Sequence, residues 1–123
     1  MRRKGLFVTL TLSFILLCSS VAYAASFSYC YGVFYHTDSQ IQSYVVTGID
    51  SVVDSIQQKG WLYMDGNYVQ YNISGSFNST YSQTPVFYSN PAGLQDWDLD
   101  GWHTATDNGI TLGSRDSISY AEI

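Results

Sequence analysis

Asp96, Asp98, Asp100 and Gly101 stand in the order D-x-D-x-D-G, the opening of a calcium-binding loop. Calcium takes about six to eight oxygen ligands, and carboxylates at alternate positions before a glycine can wrap around it. In that reading Gly101 makes the turn, Trp102 offers its carbonyl, and Asp107 closes the loop where a glutamate is usual. Asp107 is shorter than glutamate and reaches an ion less easily with both oxygens. Asp96, Asp98, Asp100 and Asp107 are therefore the candidate metal ligands, and calcium the one candidate cofactor.

The same letters alternate. Trp97, Leu99, Gly101, His103 and Ala105 share one parity, and Asp96, Asp98, Asp100, Trp102, Thr104 and Thr106 share the other. That is the signature of a strand with one apolar and one polar face. Asn108-Gly109 fits a two-residue type I′ turn, after which Ile110 and Leu112 resume the pattern. Side chains on one face of a strand are about 7 Å apart, so three aspartates in a row cannot close on one ion without a bend. His103 also stands where the calcium loop normally carries an apolar residue. The alternation is the reading carried forward, with an acidic sheet face in place of a loop.

Other chemistry finds little support. His36 and His103 lack the spacing of a zinc site, and no G-x-S-x-G elbow activates a serine. Asp96 and Asp98 resemble a glycosidase pair, but that chemistry needs a cleft and one raised pKa. A non-enzymatic protein is expected. The aromatic residues are the stronger clue. Trp61 and Trp102 fall on parities opposite to their apolar neighbours, which makes them candidate ligand-binding residues for sugar stacking or a protein contact. Alternatively they cover a second sheet face or form cross-strand pairs.

Arg2, Arg3 and Lys4 precede an apolar run from Leu6 to Leu17, and Ala22 and Ala24 supply small residues before a cleavage point. This is the pattern of a secretory signal peptide over 1–24, and the run is short of the ~20 residues a membrane span needs. Leu17 before Cys18 argues against a lipoprotein signal. The expected mature protein is 25–123, secreted or held in the cell envelope, with no membrane insertion after cleavage. It keeps ten acidic residues against Lys59 and Arg115, a net charge of −8. That charge excludes nucleic acid as a partner, because phosphate binding relies on cationic contacts. It disfavours anionic lipid for the same reason. Cys30 is then the only cysteine, so no intramolecular disulfide forms. Cys30 is either a small buried hydrophobe or a thiol for intermolecular pairing or reaction, and the lack of a basic neighbour in sequence favours burial.

The elements that position these residues are strands. Tyr, Thr, Val and Ser dominate, and period-2 alternation runs through Phe27–Tyr35. Tyr44–Ile49, Val53–Met64, Tyr68–Ile73, Phe77–Tyr88, the Asp-rich stretch and Ile110–Tyr120 complete about seven short strands. Asp65-Gly66 is a hairpin turn, and Pro85 marks an edge or a bulge. Residues 50–58 are ambiguous. Ile49, Val52, Val53 and Ile56 have helical spacing, with Asp50 placed to cap and Gly60 to stop a helix, but Ile56, Leu62 and Met64 keep strand parity. The class expected is all-β, a single antiparallel β-sandwich of immunoglobulin-like type behind a cleaved signal helix.

Val53-Asp54-Ser55-Ile56, Gly60, Leu62-Tyr63, Asp65-Gly66 and Val69, with Gly101, His103, Ala105 and Asn108-Gly109, form a recognisable order. The chain resembles small exported bacterial proteins that carry one immunoglobulin-like β-sandwich behind a signal peptide. The resemblance implies a fold and a location, and no catalytic residues. Its dense aspartate cluster departs from that pattern. The function expected is binding of an extracellular protein or cell-envelope glycan through an aromatic and acidic sheet face. A calcium-stabilised carbohydrate-binding module is one alternative. A secreted bacteriocin-like toxin is another, although such toxins are usually basic.

Overall fold

The computed structural model describes residues 25–123, so the expected signal helix over 1–24 lies outside the described residues. The described chain is all-β, with no helix among its elements. Its strands are β1 (Phe27–His36), β2 (Gln40–Met64), β3 (Asn67–Ser89), β4 (Asp96–Asp107) and β5 (Ile110–Glu122). All pairings are antiparallel: β1 with β2, β2 with both β3 and β4, and β4 with β5.

The expected seven strands are five. Tyr44–Ile49 and Val53–Met64 merge into β2, and Tyr68–Ile73 and Phe77–Tyr88 merge into β3. The physical reason is that hydrogen bonding continues through a bend. At about 3.3 Å per residue, a straight strand of 25 residues would run roughly 80 Å. A domain of this size has a radius of only about 13 Å, so β2 must fold back on itself. It does so where the β2–β3 register slips, between Gly48 and Val53, opposite Tyr81 and Ser79 and next to Asn78 with φ of 48°. The first half of β2 therefore carries β1 on one side, and the second half carries β4. One continuous sheet curls into a half-barrel.

This bend also resolves residues 50–58, which are strand throughout. Ile49, Val53 and Ile56 are all buried, while Val52 points out to solvent. Their helical spacing arises because the inward parity resets just beyond the slipped register, from odd positions up to Val53 to even positions from Ile56 onward. Asp50 caps no helix. Its carboxylate instead accepts the backbone N–H (2.8 Å) and hydroxyl (2.9 Å) of Ser26, which holds its pKa below the ordinary aspartate value. Both predicted two-residue turns are present. Asp65-Gly66 and Asn108-Gly109 have positive φ at both positions, as type I′ requires.

Side chains lace the two margins of the half-barrel. Along one margin β3 meets itself. Gln70 and Asn72 donate to the carbonyls of Phe87 (3.4 Å) and Pro85 (2.6 Å), and Ser74 and Ser76 meet Thr84 and Ser82. Along the other, the Ser119 hydroxyl on β5 accepts from the Gly32 N–H (3.1 Å) and donates to the Gly32 carbonyl (3.0 Å) on β1. The close approach there depends on glycine. A Cβ at Gly32 would lie 2.8 Å from Ser119 Oγ and 2.9 Å from Leu99 Cδ2.

The interior has two apolar clusters. Ile41, Val45, Leu62, Val86, Trp97 and Leu99 form one, and Ile49, Val53, Ile56 and Ala105 the other. Buried polar side chains join into a chain across the same interior. The Gln58 amide is satisfied at both ends when its nitrogen donates to Thr47 Oγ1 (2.6 Å) and its oxygen accepts from Ser82 Oγ (3.0 Å) and the Thr84 N–H (3.1 Å). Thr47 must then donate to His103 Nδ1 (2.7 Å), which leaves His103 Nε2 to donate to Ser117 Oγ (2.8 Å). Every link but the half-buried Ser117 is a polar group that would otherwise be buried without a partner.

Candidate functional site: an aromatic and acidic sheet face

β4 buries Trp97, Leu99, Gly101, His103 and Ala105 and turns Asp98, Asp100, Trp102, Thr104 and Thr106 outward, as its alternation predicts. The D-x-D-x-D-G stretch is thus a strand paired on both sides. Asp96 and Asp107 stand at its opposite ends, roughly 36 Å apart at about 3.3 Å per residue. The four aspartates therefore do not converge. Among the described residues no group of three or more His, Cys, Asp or Glu side chains is arranged to hold a metal ion. Asp65 meets the start of the row, its carboxylate accepting from the Asp96 N–H at 2.9 Å.

Pairing with β2 and β5 turns this row into a ladder. Trp61 lies opposite Asp100, Tyr63 opposite Asp98, and Lys59 opposite Trp102. β5 extends the rungs with Ile118 beside Asp100, Tyr120 beside Asp98 and Asp116 beside Trp102. On the far side of β2, Tyr71 pairs with Trp61 and Tyr68 with Tyr63. The rings touch: Trp61 and Tyr71 have centroids 5.5 Å apart, and Tyr63 and Tyr68 6.0 Å apart. These separations suit tilted and edge-on aromatic pairs.

The two tryptophans singled out by parity therefore share one face on neighbouring strands, each half-buried. Their surroundings differ. Lys59 Nζ sits 4.8 Å from the centre of the Trp102 ring, a cation–π contact. Trp61 instead borders a shallow depression of about 410 Å³ lined by Tyr63, Asp100, Asp116, Ser117 and Ile118. Burial raises the pKa of Asp100, and the neighbouring Asp98 adds to the rise. Asp98 Oδ1 is shielded from solvent and has no hydrogen-bond partner.

No family model and no curated protein matches this chain. Two solved structures are similar in shape. A protein from Archaeoglobus fulgidus has a TM-score of 0.48 at 13% identity, over 80% of this chain and 96% of that one. A glycosyl hydrolase family 2 member from Bacteroides cellulosilyticus has a TM-score of 0.47 at 8% identity, over 79% of this chain and 15% of that one.

Sequence reasoning missed the partners of the two tryptophans and a second aromatic face. Tyr68 and Tyr71 join the ladder because the Asp65-Gly66 hairpin fixes the register, with a slip between Leu62 and Tyr63 setting Trp61 against Tyr71. The turn was legible, but the slip was not. The second face lies on the other half of the sheet. There Tyr29, Tyr31 and Tyr81 point outward over Val46 and Gly48, with the Tyr29 ring lying directly over Gly48, and Tyr35 packs edge-on against Tyr44. A register slip between Phe27 and Tyr29 sends Phe27 into the core and the tyrosines out. Cys30 is half-buried on β1. Burial pushes its thiol pKa up, and Arg115, brought close by the curl of the sheet, partly opposes this. That basic neighbour is invisible in the local sequence.

Proposed function

We propose that this chain is an exported, non-enzymatic β-sandwich, immunoglobulin-like in type, whose two halves of the curled sheet serve as layers. In this reading its aromatic and acidic outer face binds an extracellular protein or a cell-envelope glycan. One observation carries it: the β2–β4 register sets Trp61 and Tyr63 directly against Asp100 and Asp98 on one open face. Rings with a polar neighbour offer large contact area at low conformational cost, which suits recognition. The calcium-stabilised carbohydrate-binding alternative draws no added support from aspartates spread along a strand.

The test is a glycan array together with a pull-down from cell-envelope material, using the parent, Trp61→Ala and Trp102→Ala. Trp61→Ala should weaken binding by about tenfold or more, the scale of one lost central aromatic contact. Trp102→Ala should weaken it less, because its ring already holds Lys59. Binding that is unchanged in both variants overturns the reading.

A further inference from the structure

We propose that the occupant of this face is an extended peptide segment of another protein with lysine or arginine at alternate positions. The proposal rests on the reading of the face as a binding surface, and it names the chemistry that surface selects. The three rungs of the β2–β4 ladder carry the argument. One rung is complete: the Trp102 ring holds the Lys59 ammonium at 4.8 Å. The next two lack a cation and carry a carboxylate on β4 in its place. Each sets a ring against a carboxylate, Trp61 against Asp100 and Tyr63 against Asp98.

A ring and a carboxylate side by side both attract a cation, the first through its quadrupole and the second through its charge. The spacing adds a second constraint. Asp98 and Asp100 are same-face neighbours on a strand, about 7 Å apart, and so are alternate side chains of an extended peptide. A peptide lying along β4 can therefore place one cation on each rung. A neutral sugar stacked on Trp61 would cover both carboxylates and supply no counter-charge, an arrangement that costs free energy. The −8 charge of 25–123 attracts such a segment from a distance.

The experiment compares an alternating lysine–threonine hexapeptide with a hexapeptide of the same composition in two blocks, by calorimetry against 25–123. The alternating peptide should bind about tenfold more tightly. Asp98→Asn and Asp100→Asn should each remove most of that advantage. Asp38→Asn, which deletes one charge away from the ladder, should leave it intact, and thermal melting confirms that each variant is folded. Equal binding of the two peptides, or indifference to both ladder substitutions, overturns the proposal. A neutral oligosaccharide that binds the parent, fails on Trp61→Ala and ignores Asp98→Asn and Asp100→Asn also overturns it, while the binding-face reading stands. If neither peptide nor any glycan binds, both fall.

Discussion

Stability should fall by about 3 kcal/mol as the pH is lowered from 6.5 to 4, through one imidazole. Burial lowers the His103 pKa from 6.5 to about 4, with Asp116 partly opposing the shift. Each unit of pKa difference corresponds to about 1.4 kcal/mol, and this gap gives the figure above. The folded pKa lies below the unfolded one, so the unfolded chain takes up the proton first. The contribution is therefore complete above pH 6.5, declines as pH falls towards 4, and declines no further once both states are protonated. The geometry agrees with the sign. His103 is fully buried, and Thr47 donates to its Nδ1, so a second proton there would destroy that bond. Urea midpoints measured across this range should slope for the parent and flatten for His103→Gln. Equal slopes in the two proteins would show that the histidine does not titrate between these limits.

Trp97→Ala should be the most destabilising single change, by about 3–5 kcal/mol, the range for removing a large buried aromatic. Trp97 is 1% exposed and packs with Ile41, Val45, Leu62, Val86 and Leu99. Tyr88 meets it edge-on at 6.3 Å. Its indole nitrogen is buried without a hydrogen-bond partner. Trp97→Phe keeps much of the packing and removes that unpaired donor, whose burial costs about 1–3 kcal/mol. Phenylalanine should therefore recover most of the stability that alanine loses. A chemical-denaturation series of the three proteins decides it. A phenylalanine variant as unstable as the alanine variant would mean that the nitrogen has a partner in solution.

Local chemistry was the legible part of this sequence. Asp65-Gly66 and Asn108-Gly109 declare their turns because few residue pairs accept two positive φ values in succession. The β4 parity was equally plain, because its inward set of Trp97, Leu99 and Ala105 never breaks step. Slips in pairing were not legible. Between Gly48 and Val53 the register moves, and inward parity changes just beyond it, between Val53 and Ile56, so one bent strand reads as two strands or a helix. The same blindness affected β1, where the slip after Phe27 reverses which face receives the tyrosines. For the candidate site, composition and parity found Trp61, Trp102 and the aspartates. Which ring faces which carboxylate depends on partners distant in sequence, and only the assembled sheet supplies them.

The lacing of β3 has a consequence for how the protein behaves in a crowd. Apart from its pairing with β2, this strand of 23 residues runs along the border of the sheet. An open border strand of that length is a template on which other chains can grow as aggregates. Here Gln70 and Asn72 occupy the carbonyls of Phe87 and Pro85, and Pro85 itself has no N–H to offer. The bend then turns one half of the strand against the other, so that no long straight stretch of backbone faces outward. The fold that brings the ladder together thereby shields its longest border from fibre growth.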